Sequence, residues 1–386
     1  MKYKFEESDF ARLWTDSEVL RTYVIATIDK ISNYAWWKTR YTKASSPTMQ
    51  QPDGSRPFTV ASRTSVASNL PDMRANYAES IQGDTAGMAT YTGTIPSFSG
   101  DATHETASQR DYKQKLYAQY GSDARMLEDL TNTLVARVAG MNSGISYMGA
   151  QLASTGKIGY TVGRGIKDSN VSEPLIPTAN FLKAGEKAWS DTTAKLLDQM
   201  AKIELDWRMA NGYDGAMTWH VSQNMFYNNL LKNEQVKDWV KQYRTLNDRP
   251  YVDGLITEQL FQESISLFPN LSPIVIEKEA QQNKTIEGVV SATQGWKDGN
   301  AVLCPAGMFG EIAYSNLAEE ALFSQYGASD VTKTFAPIEG GIMTLVNTTK
   351  NNGDYKEWKS EILMNAIPTL TNFPYHVIVD TTQAND

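Results

Sequence analysis

The strongest pattern in the chain is an apolar stripe. Leu127, Leu130, Leu134, Val138, Met141, Ile145, Met148 and Leu152 follow one another at steps of 3, 4, 4, 3, 4, 3 and 4 residues, which sets them on one face of a helix. Leu116 and Tyr120 extend the stripe backward. The spacing therefore predicts one helix over 112–155, its stripe from Leu116 to Leu152 running on the order of 50 Å at about 1.5 Å per residue. Gly156 supplies its stop. Gly140, Gly144 and Gly149 fall inside it, each costing roughly 1 kcal/mol relative to alanine. The expected compensation is close approach of a strand or another helix. A lone helix with one apolar face is a strut against which a sheet can be laid.

On either side the pattern changes. Residues 1–37 read as a short helical arm, capped by Asp16, carrying Val19, Tyr23, Ile25 and Ile28 and closed by Trp36-Trp37. Residues 42–108 are rich in Ser, Thr, Gly, Ala and Pro, with no charge between Thr85 and Gly100. Alternating pieces such as Phe58-Thr59-Val60-Ala61 predict a long two-stranded excursion. It holds too many apolar side chains for a spacer, so burial on a neighbouring molecule is expected. After the strut come a Gly-rich strand region (158–166) and a second amphipathic helix over 191–207 using Leu196, Leu197, Met200, Ile203 and Trp207. Strands are expected at Met217–Val221, Ile274–Glu277 and Ala301–Cys304, and helices over 223–231, 235–243 and 258–268. The last stretch is strand-rich, at Ile342–Val346, Trp358–Met364 and Pro374–Val379. The whole reads as α+β.

Composition narrows the function. At 386 residues the chain can hold two or three domains, and 41% hydrophobic against 21% charged residues describes a folded protein. The balance is acidic, 44 Asp+Glu against 36 Lys+Arg, with no basic run. Tight duplex binding needs a surplus of cations, so DNA is expected to be contacted only weakly. The first residues are charged where a signal peptide needs an apolar core, and no stretch nears ~20 apolar residues, so cytoplasmic folding and no membrane partner are expected.

Candidate chemistry is sparse. The single cysteine, Cys304, excludes an internal disulfide framework and a Cys-based zinc site, and reads as a small buried strand residue. The three histidines, His104, His220 and His376, are far apart and carry no motif. Ser154-Thr155-Gly156-Lys157 resembles the tail of a phosphate loop. It has Gln151 in place of the first glycine and Ile158 in place of the metal-binding hydroxyl, and it ends a helix where such a loop must begin one. Gly163-Arg164-Gly165 lacks the third glycine of a dinucleotide fingerprint. Acidic pairs such as Glu319-Glu320 and Glu204/Asp206 are what an acidic surface supplies, and nothing picks out a glycosidase pair. No catalytic residue, cofactor or metal ligand is assigned, which favours a structural role over an enzyme.

The order of parts resembles the HK97-type major capsid proteins of tailed bacteriophages, closest in pattern to the lambda-type group. Trp296-Lys297-Asp298-Gly299-Asn300-Ala301-Val302-Leu303-Cys304-Pro305, leading into Gly307-Met308-Phe309-Gly310, is similar to a stretch of that group where a tryptophan precedes a strand, a proline and a glycine turn. Leu152 to Ile158 resembles the passage from its spine helix to the next strand. Trp189-Ser190-Asp191, and Ser222-Gln223-Asn224-Met225-Phe226 before Asn233-Glu234-Gln235-Val236, resemble features of its axial domain.

The resemblance implies an HK97-like fold with an N-terminal arm at 1–41, an extended E-loop at 42–108, and a spine helix with the first part of the peripheral P-domain at 109–190. An axial A-domain at 191–334 and return strands of the P-domain at 335–386 complete it. It also implies self-assembly as hexamers and pentamers into a virion shell inside the host bacterial cytoplasm. Portal, scaffolding and decoration proteins would be further partners. No long charged N-terminal extension is present to act as a built-in scaffold, and no motif carries over the Lys–Asn crosslink of HK97. Trp14 and Tyr23 of the arm and Phe58, Tyr91, Ile95 and Phe98 of the loop are the expected intersubunit contacts. An encapsulin-like compartment shell is the alternative, with a glycoside hydrolase or other soluble enzyme behind it.

Overall fold

The computed structural model describes residues 35–63, 88–99, 103–105, 123–159, 176–247, 256–284, 290–326, 331–352 and 355–384. A 3-10 turn, Trp36–Thr39, leads into strand β1 (Tyr41–Lys43), then β2 (Pro57–Arg63), β3 (Met88–Thr94), β4 (Ser97–Ser99), β5 (Thr103–Glu105) and helix α1 (Asp123–Thr155). There follow β6 (Phe181–Lys183), α2 (Leu196–Asn211), β7 (Met217–Ser222), α3 (Glu234–Leu246), α4 (Glu258–Ile265) and β8 (Ile274–Glu277). A hairpin of β9 (Gln281–Lys284) and β10 (Val290–Thr293) precedes β11 (Asn300–Pro305), β12 (Gly310–Tyr314) and α5 (Ala318–Tyr326). The chain closes with β13 (Val331–Ile338), β14 (Met343–Asn352), β15 (Tyr355–Leu370) and β16 (Val377–Asp380). The architecture is α+β.

Helix α1 realises the stripe. Val138, Met141, Ile145, Met148 and Leu152 are all buried, while the start expected at 112 lies outside the described residues. It ends as expected: Gly156 is left-handed at φ 72° and its N–H reaches the Leu152 carbonyl at 2.9 Å. The next orphan carbonyls are met from other elements. The His376 ring is 2.6 Å from that of Ala153, and the Asn300 amide donates to that of Ser154 at 2.8 Å.

Two larger sheets flank this helix. The seven-stranded sheet is organised on the 16-residue β15, which pairs at successive stretches with β5, β4 and β12 and runs antiparallel to β14. Strand β13 extends it beyond β14, and β1 joins β12 in parallel. Helix α1 lies against β15. The five-stranded sheet has the order β6-β16-β11-β7-β8, with β11 antiparallel to both neighbours.

That second sheet is a wall between two cores. Successive side chains of a strand point to opposite faces. Val302 and Cys304 of β11 and Ile378 of β16 pack with the spine helix. Ala301, Leu303, Val377 and Val379 pack with Trp189, Leu196, Met200, Trp219, Phe226, Val240 and Phe261 on the other side. The continuous apolar run of β11 is a strand buried on both faces.

The weave differs from the expected division at 191–334 and 335–386. Strand β12 belongs to the long sheet although it precedes residue 335, β13 straddles that boundary, and β16 belongs to the five-stranded sheet although it is the last strand. Hydrogen-bonded pairing over long sequence separation decides this, and local periodicity does not carry it. Helix 223–231 becomes a short helical turn, Gln223–Met225, continued by a π turn, Phe226–Leu230. The strand expected over 158–166 is absent at its described start, 158–159, and the rest lies outside the described residues.

The glycines of α1 divide. A Cβ on Gly149 would stand 2.8 Å from the Tyr41 ring, whose hydroxyl donates to the Gly149 carbonyl at 2.7 Å, so strand β1 is the expected close neighbour. A Cβ on Gly140 would meet nothing within 4 Å. Gly149→Ala is therefore expected to lose about 1–3 kcal/mol through overpacking, while Gly140→Ala gains up to about 1 kcal/mol. Urea unfolding of the subunit followed by circular dichroism reads both signs.

Candidate functional site

The residues carrying titratable chemistry converge on the spine-helix face of the five-stranded wall. Alternation along β7 and β8 turns His220 and Glu277 to this face, while Trp219 and Ile276 join the opposite core. Glu277 is buried and fully engaged. Its Oε1 accepts from Arg40 Nε at 2.7 Å and lies 2.6 Å from His220 Nδ1, and its Oε2 accepts from Trp36 Nε1 at 2.8 Å. Burial alone would raise this carboxyl, but the hydrogen bonds and charges of His220 and Arg40 outweigh it and hold the group below the ordinary carboxylate range. Burial lowers His220, and Glu277 restores only part of that loss. The pair is carboxylate and neutral imidazole, with the Arg40 charge balancing Glu277.

Trp36 and Arg40 come from a strap, residues 36–43, that binds three elements at once. Trp37 Nε1 donates to Asn142 Oδ1 of α1 at 2.8 Å, and Lys38 pairs with Glu339 at 2.6 Å. Lys43 reaches the Gly340 carbonyl, and β1 pairs with β12. The doublet Trp36-Trp37 is the only sequence signal of this junction. Arg40 and Glu277 gave none, since nothing local links residues so distant.

This knot is not arranged for catalysis. Cys304 is buried and burial pushes its thiol pKa up, so the nucleophilic thiolate is suppressed. Glu204 is occupied by Arg208, Ser272 and Trp219, all between 2.6 and 3.1 Å, and Glu319 pairs with Lys333. Ser154 and Thr155 bond back to the Ala150 and Gln151 carbonyls, as a helix end and not as a phosphate loop. Gly163-Arg164-Gly165 lies outside the described residues. Among the described residues no group of three or more His, Cys, Asp or Glu could hold a metal ion, and no helix is long and apolar enough to cross a membrane.

The expected contact residues are placed differently from their assignment. Phe58, Tyr91 and Ile95 are 6%, 4% and 3% exposed within their own subunit, so they are core residues and not anchors for a neighbour. Phe58 stands edge-on to Tyr91, Tyr91 edge-on to Phe373, and the Tyr91 hydroxyl accepts from Leu370 N at 3.1 Å. Phe98 is half-buried against the same core, on β4 where it pairs with Met364. Trp14 and Tyr23 lie outside the described residues. Aromatic side chains in a charge-poor ribbon require burial, but composition does not say on which molecule. The described ribbon has one open face: Thr59, Ala61, Thr90 and Thr92 are exposed and Met88 is 66% exposed, while Val60 and Ala89 pack on the core and Ser62 is buried.

No protein-family model and no curated protein matches the chain. Among solved structures it is similar to a protein assigned as a prophage capsid protein from E. coli CFT073, at 11% identity and TM-score 0.48, covering 98% of this chain and 99% of that one. It is similar to a chain of the satellite phage P4 procapsid with its size determination protein, at 10% identity and TM-score 0.41, covering 99% of each. It is also similar to a chain of the cyanophage A-1(L) capsid, at 13% identity and TM-score 0.42, over 89% and 91%. All three scores fall below 0.5, so the functional reading rests on the geometry of this chain.

Removing the Glu277 carboxylate would leave the Arg40, Trp36 and His220 donors without their acceptor. Glu277→Ala is expected to cost about 3–5 kcal/mol. Glu258→Ala, which breaks the exposed Lys278–Glu258 pair at 2.6 Å, is expected to stay within about 1 kcal/mol. Urea midpoints of the two variants measure the difference.

Proposed function

We propose that this chain is the repeating subunit of a protein shell: an HK97-type major capsid protein that assembles with copies of itself around the double-stranded DNA of a tailed phage. The observation that carries this reading is the β2–β3 ribbon. It forms a two-stranded sheet that pairs with no other strand among the described residues. Phe58, Val60, Ala89 and Tyr91 set one face of it on the core, and the other face, with Thr59, Ala61, Thr90 and Thr92, is exposed among the described residues. A two-stranded ribbon is marginal in water, and its open edges are templates for another chain. A ribbon firmly rooted and outwardly bare is suited to be received by a neighbour.

The sequence resemblance to capsid subunits gives the same assignment independently of that geometry. In a shell every subunit both donates and receives such a ribbon, so many modest contacts add through multivalency. Hexamers and pentamers of the chain are the expected units, with portal, scaffolding and decoration proteins as further partners. Assembly takes place in the host cytoplasm and ends in the virion. The acidic balance of the chain leaves packaged DNA weakly held and free to slide.

Replacing residues 64–87 by a two-residue turn between β2 and β3 tests the reading. The cut stops there because a deletion across 50–100 would also remove Phe58, Tyr91 and Ile95 from the core. The variant is expected to keep the thermal unfolding of the wild-type subunit and to form no shells by negative-stain microscopy. Normal-sized particles from it would refute the donated ribbon.

A further inference from the structure

We infer that the seam between the two cores is an acid-released latch: proton uptake by His220 and His376 frees the strap and the end of α1 from the five-stranded wall. Two of the three histidines in the chain lie in this seam, both buried, on either side of Phe309. Their ring centroids stand 4.7 Å and 6.1 Å from that of Phe309. Each holds a different element. His220 supports Glu277, the acceptor for Trp36 and Arg40 of the strap. His376 bonds the Ala153 carbonyl, near the last turn of α1.

The neutral state fits and the charged state does not. With Glu277 ionised, His220 donates through Nδ1, and its buried Nε2 has no partner. A second proton there would have no acceptor. The charged and titratable groups facing His220 are Glu277 from β8, Arg40 from the strap and His376 from the turn before β16. The Cys304 thiol on β11 and the Tyr41 phenol on β1 face Glu277. One carboxylate and one guanidinium cancel, so a protonated imidazole adds an uncompensated buried charge. His376 faces only the Ala153 carbonyl and His220, and burial pulls its pKa down to about 4.

The sign follows from linkage. Both imidazoles bind protons more weakly in the closed seam than when opened to water, so closure is complete above about pH 6.5 and is lost as pH falls toward 4. For His376 alone, opening becomes roughly 20-fold more favourable at pH 5 than at pH 7. The strap has no other side-chain tie to the wall among the described hydrogen bonds than Glu277, so the loss is local. The inference concerns the single subunit and does not depend on the shell.

Hydrogen–deuterium exchange with mass spectrometry on the purified full chain, at pH 7 and pH 5 with times scaled for intrinsic exchange, tests it. Peptides covering 150–156 are expected to exchange roughly 20-fold faster at pH 5 than at pH 7, and those covering 36–43 faster as well, while 196–211 and 343–352 keep their protection. The double variant His220→Gln, His376→Gln, whose amides donate but do not titrate, should lose this pH dependence. Loss of protection everywhere together, no change in the seam, or the same pH response in the double variant would overturn the latch. Should that variant fail to fold, exchange at the imidazole C2 positions of the wild type gives the pKa of each ring. Values near 6.5 for both rings would also overturn it.

Discussion

One strand serving two hydrophobic cores is the constraint on which the rest of this structure depends. β11 sends Val302 and Cys304 to the spine helix and Ala301 and Leu303 to the helices behind it. A slip of one residue in its pairing would exchange the two sets. The register is fixed from both edges, Val302 opposite Ile378 on one side and opposite His220 on the other. Where both faces of the wall are covered, as at His220 and Glu277, a polar group is sealed in. Glu277 is tolerable only because Arg40, Trp36 and His220 all bind it, and that brings the strap to the wall. The junction of the subunit is thus a consequence of burying a carboxylate.

The same logic explains how the ribbon is mounted. An arm that relied on a neighbour for all its apolar burial would be unstructured in the free subunit and would lose conformational entropy on docking. Here Phe58 meets Tyr91 and Tyr91 meets Phe373 edge-on inside the subunit, and Tyr91 also holds the end of β15 through Leu370. The root is ordered before any partner arrives. Gly93 permits this packing, since a Cβ there would stand 2.7 Å from the Phe58 ring.

What could be read from the sequence follows the range of the interactions. The α1 stripe, its glycine stop, strand Ile274–Glu277 and the helix led by Leu196 and Leu197 all express local periodicity, and each forms close to where it was expected. The assignment of β12 to one sheet and β16 to the other depends on partners many tens of residues away, which no window reveals. The ribbon aromatics were legible as residues needing burial and illegible as to where. Arg40, His220 and Glu277 carried no motif. A polar residue at the end of an apolar strand run, such as Glu277 after Ile274-Val275-Ile276, was the faint signal available, because a sealed strand end must satisfy whatever charge it carries.

A buried His–Glu pair beside a cysteine also invites comparison with a catalytic dyad, and the physical differences are specific. A nucleophile needs a lowered pKa and a path to substrate; Cys304 is buried with its thiol pKa raised. A general base needs a free ring nitrogen facing a reacting group; His220 Nε2 faces the interior, with Phe309 packed edge-on to the ring. The carboxylate that orients the imidazole is shared with Arg40 and Trp36, so it cannot move without disturbing the strap. The cluster has the ingredients of catalysis in an arrangement that holds elements together, and its chemistry is spent on the coupling between the wall, the strap and the spine helix.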